Sequence, residues 1–382
     1  MQIERKVFHS ALRIVEAATA KRENVPVLNG VLLDARNPGN LVVAATDLKL
    51  GIRATLHAEG DGGWARVVDA RLLVGLTGKL PAETVTLEPT DKQIRVISAG
   101  ARFNLASMDA EDFPELPSPE ARATVRLTAG ILGGVLGRVA FAAAESDKRP
   151  VLSGVYVEVG PSALTLAATD SSRLATETIP LDGPTGVADG SSVSAIVPRR
   201  SVEEAARILG AISPGAEVVM DVGERLIAVQ AGAYTLTTRL IEGMFPPFRQ
   251  VLLSDPAHRV GFERRTLLDA VSRLSLLSRR GPAVVMFEPA DEPGRVVLRA
   301  IEADVGEGVE TLRTVGAPWP EGLRPAYQAR FLEEFLRAVE SETVEYAVSD
   351  PARQSQWSVA GSDYRYVVMP VRLDTGAVAR AA

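Results

Sequence analysis

The chain has 382 residues, 46% of them apolar, enough for two or three domains that each bury a full core. It contains no cysteine, which excludes disulfide frameworks, thiolate metal sites and cysteine nucleophiles together. The first residues, MQIERK, lack the apolar core of a secretory signal, and the most apolar stretch, residues 129–144, is too short to span a bilayer. We therefore expect a soluble cytoplasmic protein. The net charge of −6 disfavours a nucleic-acid partner unless the cations are clustered on one surface.

The first third of the chain predicts a helix, two strands, a second helix and two more strands. Phe8, Leu12 and Val15 recur at helical spacing, and two apolar runs follow, PVLNGVLLD at residues 26–34 and VAATD at residues 43–47. A second helix is predicted over residues 70–80. The closing strands are predicted over residues 84–87 and 93–98.

The middle third repeats this order with closely matched segments. PVLSGVYVE at residues 150–158 matches the first apolar run, and LAATD at residues 166–170 matches the second. The helical patterns are Ile131, Val135 and Val139 before these runs and residues 199–209 after them. Strands are predicted over residues 151–159, 163–168, 217–220 and 226–231.

A weaker third copy fills the rest of the chain. The counterparts of the two apolar runs in this copy are PAVVMFE at residues 282–288 and VLRA at residues 297–300. The helical patterns are Leu267, Val271 and Leu274, and then Phe331, Phe335 and Val339. Pro-rich segments, DFPELPSP at residues 112–119 and FPPF at residues 245–248, read as crossings between copies. We predict three α+β domains at residues 1–121, 122–255 and 256–382.

This threefold arrangement resembles the β subunit of bacterial DNA polymerase III, the family of β sliding clamps, over essentially the whole chain. Three strings support the resemblance in this order: VPR at residues 197–199, RLIEGMFP at residues 239–246 and YVVMPVRL at residues 366–373. The resemblance implies the DNA clamp fold, in which a head-to-tail homodimer forms a closed ring of six domains with twelve helices lining the hole. Helices packed about 9 Å apart place their axes on a circle about 34 Å across. After one helix diameter of about 10 Å is subtracted, roughly 24 Å remains, enough for a B-form duplex.

The resemblance also implies a function without catalysis or cofactor: a processivity factor that encircles double-stranded DNA without reading its sequence. Its implied partners are the DNA polymerase III α subunit, the clamp loader and other proteins that carry clamp-binding motifs. The helices carry many basic residues that could face the duplex. Those that match the family's DNA contacts are Arg22, Arg71, Arg199 and the loop DKR at residues 147–149, with Lys148 and Arg149.

The second implied feature is a groove that receives short peptide motifs from these partners. The matching positions here are Leu152, Thr169, Arg173, Leu174, Pro246, Val251, Val367, Val368, Met369, Pro370, Val371 and Arg372. Without the resemblance, Leu152, Leu174 and Val367 would be read as ordinary core residues. The chain has Ser171 and Ser172 where family members often have Gly-His, and Gln250 where an Arg is common. These differences bear on motif preference, as does the segment 374–382 beyond the family's usual ending.

The resemblance places the dimer interface at Phe103 and Leu105 on one side and Leu276 and Leu277 on the other. Two alternatives stay open at this point. A specialised clamp serving repair or inhibitor resistance would fit the unusual serine pair. A three-domain enzyme would have as its obvious catalytic candidates the Thr-Asp pairs at positions 46–47 and 169–170, which we interpret instead as strand-ending turns. No metal-ligand spacing joins the histidines, and no phosphate-binding loop or nucleophile elbow is present.

Overall fold

The fold was determined as a computed structural model that describes residues 1–20, 25–145, 148–278, 281–302 and 304–372. The helices are α1 Arg5–Val15, α2 Ala70–Thr77, α3 Ala129–Ala140, α4 Arg199–Gly210, α5 Arg264–Ser275 and α6 Ala329–Ala338. The strands are β1 Gln2–Glu4, β2 Gly30–Asp34, β3 Asn40–Thr46, β4 Leu50–His57, β5 Ala65–Asp69, β6 Thr84–Pro89, β7 Gln93–Ser98, β8 Ala101–Asp109, β9 Ala123–Thr128, β10 Gly154–Val159, β11 Ala163–Thr169, β12 Arg173–Pro180, β13 Val193–Pro198, β14 Glu217–Val222, β15 Leu226–Ala231, β16 Tyr234–Arg239, β17 His258–Glu263, β18 Val284–Pro289, β19 Arg295–Glu302, β20 Gly306–Arg313, β21 Ala326–Gln328, β22 Thr343–Val348, β23 Ser355–Ser358 and β24 Arg365–Val368.

The predicted order of elements is confirmed in all three repeats, with local corrections. The predicted strand over residues 151–159 starts only at Gly154, because Pro150–Leu152 forms a 3-10 turn in which the Leu152 amide donates to the Arg149 carbonyl at 2.9 Å. The predicted second helix of the first repeat ends at Thr77, whose hydroxyl donates to the Leu73 carbonyl at 2.9 Å.

The first helix of the middle repeat needs a correction on its buried face. Ile131 is exposed, and Leu132 takes the inward position with Val135 and Val139. A helix turns by about 100° per residue, so a shift of one position moves a side chain off the buried stripe. Ile131 was wrongly predicted to be buried because α3 is apolar at nearly every position. Its sequence therefore does not distinguish the buried face from the exposed one.

The chain divides into two compact units. Unit 1 comprises Met1–Gly134, Val159–Ser162 and Leu181–Ile241, and unit 2 comprises Val135–Glu158, Ala163–Pro180 and the chain from Glu242 onward. Neither unit coincides with one repeat, so the domain boundaries near residues 121 and 255 stay a prediction.

Unit 1 is built on one 12-stranded antiparallel sheet. Its strand order is β1-β6-β7-β8-β5-β2-β3-β4-β16-β15-β14-β9, so the first repeat joins the second where β4 pairs with β16. Helices α1 and α2 pack together on it and bury Phe8, Leu12 and Leu73. The Asp69 carboxylate accepts from the Leu72 amide at 2.7 Å, which fixes the start of α2.

Unit 2 contains two antiparallel sheets. The first runs β10-β11-β12-β24-β23-β22-β17, and it joins the second repeat to the third where β12 pairs with β24. The second runs β20-β19-β18-β21. Helices α5 and α6 pack together, and the Glu263 carboxylate caps α5. The core between these layers is aromatic, with Phe262, Phe287, Tyr327, Phe335, Tyr346 and Trp357 fully buried.

No helix in the described part of the chain is both long enough and apolar enough to cross a bilayer.

Candidate functional site

An apolar cluster on the outer face of the first sheet of unit 2 marks the candidate peptide groove. Leu174 on β12 and Val367 on β24 are cross-strand partners, and both belong to one buried apolar cluster with Phe248. Tyr156, Phe245 and Leu252 surround this cluster and are partly buried. The sequence predicts Leu174 and Val367 as groove residues; each is 3% exposed, and their role as a groove floor stays a prediction.

The segment from Phe245 to Leu253, called here the crossing segment, runs across this face of the sheet. Hydrogen bonds attach it to neighbouring strands. The Leu253 amide donates to Gln356 Oε1 at 3.0 Å, and Gln354 Nε2 donates to the Val251 carbonyl at 3.3 Å. Arg249 donates to Glu158 at 2.7 Å and lies over the Phe248 ring at 4.7 Å.

Glu158 is held ionised by these contacts. Although burial acts to raise its pKa, hydrogen bonds from Tyr156 and Arg249 lower the pKa below the usual value. The anchor of the crossing segment therefore persists at neutral pH.

Two kinds of surface flank the crossing segment. On one side lie predicted groove residues that are open to solvent, with Met369 44% exposed and Val251 and Pro246 also exposed. On the other side is a cavity of about 310 Å³ with a floor of threonines. Thr165, Thr176 and Thr178 form this floor, and Thr165 and Thr178 share a hydrogen bond at 3.0 Å.

The remaining predicted groove residues fall into two sets. Pro370, Val371 and Arg372 continue the chain beyond β24, and Thr169 ends β11; these residues are partly or fully exposed. Leu152 is buried beneath the surface.

Arg173 and Val368 are turned away from the groove. Side chains alternate between the faces of a sheet, and these two are a cross-strand pair next to Leu174 and Val367. Val368 is buried, and the side chain of Arg173 is only 2% exposed. The expectation that both side chains line the groove is therefore corrected: they contribute the strand backbone, while their side chains pack on the helix side.

The Arg173 guanidinium has a complete set of partners on that side. It donates to Asp170 at 2.9 Å, to the Phe141 carbonyl at 2.9 Å and to Glu334 on α6, and it lies over the Phe331 ring at 4.5 Å. Burial acts to lower its pKa, but Tyr366 and Glu334 outweigh burial and the pKa is raised. Replacing this cation alone would therefore leave buried polar partners without their donor.

The two Thr-Asp pairs form the turns that the sequence predicted. Asp47 Oδ1 accepts from the amides of Lys49 and Leu50, and Asp170 Oδ1 accepts in the same way from Ser172 and Arg173. The residue after each Asp has a positive φ, 70° at Leu48 and 83° at Ser171. A positive φ favours glycine, which is the residue that the resemblance leads us to expect in place of Ser171.

The predicted DNA contacts lie at or near helix starts and on one loop. Arg71 at the start of α2 is exposed and forms no ion pair within the described residues. Arg199 at the start of α4 donates to Glu203 at 2.7 Å. Lys148 and Arg149 are exposed, and Arg149 donates to Ser171 Oγ at 2.6 Å. Arg22 lies outside the described residues.

The predicted interface residues lie on two sheet edges. Phe103 and Leu105 are on β8. Residues 101–106 of this strand pair with β7 on one side, and no described strand pairs with them on the other side. Phe103 is exposed and Leu105 is buried. Leu276, 78% exposed, and Leu277 follow α5, close to β20, which ends its sheet.

Comparison with known proteins places the chain in one family. The profile of the DNA polymerase III β subunit N-terminal domain matches residues 1–117, and that of its central domain matches residues 127–247. The β sliding clamp of Synechocystis is 29% identical, covering 95% of this chain and 97% of the relative. That of Streptomyces coelicolor is 28% identical, covering 98% of this chain and 99% of the relative.

Solved structures agree over the same length. The DnaN sliding clamp of Pseudomonas aeruginosa bound to griselimycin superimposes with a TM-score of 0.90 at 26% identity, covering 98% of this chain and 99% of that one. The β subunit of Thermotoga maritima, at 24% identity, shares the fold with a TM-score of 0.87, covering 98% of this chain and 99% of that one. The chain therefore belongs to the family of bacterial DNA polymerase III β subunits, the non-catalytic β sliding clamps.

Proposed function

We propose that two copies of this chain close into a ring around duplex DNA and tether the replicative polymerase and other motif-bearing proteins to it. This function belongs to the cytoplasm, where a bacterium keeps its chromosome. The observation that best supports the ring is the pattern of strand pairing between repeats.

Each junction between repeats is made by one strand of each. β4 pairs with β16 at the first junction, and β12 pairs with β24 at the second. In the same order of elements, β20 corresponds to β4 and β12, whereas β8 corresponds to β16 and β24. Within the described strands, β20 and residues 101–106 of β8 keep one open edge each. A second copy can supply the missing partner to both edges, and such a head-to-tail contact closes when it is repeated.

The candidate DNA contacts fit a ring that must slide. Long cationic side chains suit contacts to phosphate, and such contacts hold a duplex without reading its sequence. The candidates are Arg22, Arg71, Lys148, Arg149 and Arg199. The groove around Leu174, Val251, Val367 and Met369 offers apolar surface for the motifs of tethered proteins.

Retention on DNA of different topology tests the ring. The protein is assembled with a clamp loader and ATP on a nicked circular duplex, and the complex is separated from free protein by gel filtration. We expect it to stay on the circle and to leave when a restriction enzyme linearises the DNA. Equal retention on both forms would show ordinary binding instead of a topological link and would contradict the proposal.

A further inference from the structure

A second groove lies on the outer face of the unit 1 sheet, where β4 pairs with β16. It encloses a cavity of about 180 Å³. Its lining includes Leu48, Lys49, Gly51, Leu116, Thr237 and Arg239. All of these residues belong to unit 1, so this surface is separate from the groove described in unit 2.

Backbone pairing identifies this groove as the repeat counterpart of the unit 2 groove. Thr237 pairs with Gly51 as Val367 pairs with Leu174. The Arg239 amide donates to the Lys49 carbonyl at 2.9 Å, and the Met369 amide donates to the Ser172 carbonyl at 2.8 Å. Arg239 thus occupies the place of Met369.

The chemistry of the two grooves differs at every one of these positions. In unit 1 the apolar floor is replaced by a glycine and a threonine, and the exposed methionine by an arginine. A Cβ at Gly51 would lie 2.6 Å from Cδ2 of Leu116, so a larger residue there would require the Leu116 side chain to move. Leu116 therefore packs closely over Gly51, and the open part of the groove lies beside it, against Leu48, which is 52% exposed.

Cations line the open part. Lys49 and Arg239 belong to its lining, are exposed, and form no ion pair within the described residues. Arg53 is also exposed, forms no ion pair there, and lies farther along β4, outside the lining of the cavity. Arg53 shares a face of β4 with Gly51, and its partner Thr235 shares a face of β16 with Arg239. Neighbouring positions on one strand face are separated by about 6.8 Å, which is also the spacing of alternate side chains in an extended peptide.

We propose that this groove binds an extended acidic segment of a partner protein. One apolar side chain of the segment packs against Leu48 and Leu116, and its carboxylates meet Lys49, Arg53 and Arg239. Glu115 on the wall and the apolar surface of Leu48 make the groove a poor match for a nucleic-acid backbone, whose charge is uniform. A peptide can place a neutral residue beside Glu115 and acids beside the three cations.

Fluorescence anisotropy with a synthetic probe tests the proposal. The probe is a fluorescein-labelled peptide in which Glu residues flank a single Leu, titrated with the full-length protein at low salt. We expect the double variant Lys49→Ala with Arg239→Ala to weaken binding about tenfold, because each exposed ion pair contributes modestly. Leu48→Asn should weaken it further, and Asn tolerates the positive φ of this turn.

Matched controls separate this groove from other surfaces. Arg353→Ala removes an exposed arginine of unit 2, and Met369→Ala alters the unit 2 groove. Both should leave probe affinity unchanged. Equal binding of the same probe with Gln in place of Glu would overturn the proposal. Tighter binding of a single-stranded oligonucleotide than of the peptide, weakened by the Lys49→Ala and Arg239→Ala double variant, would also overturn the proposal. The outcome does not depend on ring closure, so failure here and failure of the proposed function are distinguishable.

Discussion

Arg173 on β12 forms an ion pair with Glu334 on α6, in the interior of unit 2. The same carboxylate also accepts from Arg330 at 2.9 Å, and Arg330 reaches Glu145 as well. This network links the strand that carries the groove floor to a helix of the following repeat. The candidate groove lies on one face of this sheet. The opposite face is held against α6 by these ion pairs as well as by apolar packing.

Replacing Arg173 should destabilise the protein to a degree that depends on the replacement. Arg173→Ala removes the ion pairs, the hydrogen bond to the Phe141 carbonyl and the stacking on Phe331, and we expect a loss of about 3 to 5 kcal/mol. Arg173→Met keeps most of the volume and leaves Glu334 paired with Arg330, so about 1 to 3 kcal/mol is expected. Urea denaturation measures both. Unfolding free energies equal to that of Arg353→Ala, an exposed control, would refute the structural role.

Truncating Met369 should weaken peptide motifs without affecting the ring. Met369→Ala removes an exposed apolar anchor beside Leu174 and Val367, and we expect a cost of about 1 to 3 kcal/mol in calorimetric titration of a polymerase-derived motif peptide. Ser172→His should alter affinity as well, since an imidazole narrows a rim now formed by small hydroxyls. Identical affinities for wild type and both variants would mean that motifs bind elsewhere.

Local sequence patterns predicted the local structure of the groove well. The Thr-Asp turns formed as expected, because an Asp carboxylate next to two free amides needs only neighbouring residues to fold. The matched runs in the repeats predicted the order of helices and strands along the chain, but not the order of strands within the sheets. Leu174 and Val367 lie with Phe248 in a buried cluster, so their assignment to the groove stays a prediction that rests on the resemblance.

Features that depend on distant parts of the chain could not be predicted in the same way. The orientation of Arg173 follows from strand alternation, and its burial follows from Glu334, which is far away in sequence. The sequence did contain a signal for the orientation of the Arg173 side chain. Side chains alternate along β12, so those of Arg173 and Leu174 cannot face the same side of the strand. The cationic groove of unit 1 depends on the pairing of β4 with β16, which no local pattern contains.

The proposed dimer should dissociate when charges are placed on its edges. Phe103→Arg on β8 and Leu276→Lys after α5 each put a cation on a surface that we expect to be covered in the ring. Light scattering after gel filtration should give twice the 40.6 kDa chain mass for wild type and a single chain mass for either variant at low concentration. A monomeric wild type at micromolar concentration would exclude a stable ring.

DNA binding should depend on salt through a small number of arginines. Replacing Arg22, Arg71 and Arg199 together with Ala should reduce the salt slope by up to about three contacts. Arg71 should contribute more than Arg199, because Arg199 is already engaged with Glu203. Affinity for different duplex sequences should fall equally. A triple variant with an unchanged salt slope would show that these side chains do not face the duplex.

The last prediction concerns His9, which joins the two helices of the first repeat. Its Nδ1 lies 3.0 Å from Thr77 Oγ1 on α2. Burial, and then the charges of Arg13 and Arg5, lower its pKa from the ordinary value of 6.5.

Because protonation is easier in the unfolded chain than in the folded one, the unfolded state binds more protons as the pH falls below 6.5, and the fold loses stability there. His9→Asn keeps a polar atom near Thr77 but does not titrate. Wild type should therefore lose more thermal stability than His9→Asn between about pH 7.5 and about pH 5.5. Parallel decreases of Tm in the two proteins would show that the charge on His9 is equally accommodated in both states, and that α1 and α2 are not coupled to pH through this contact.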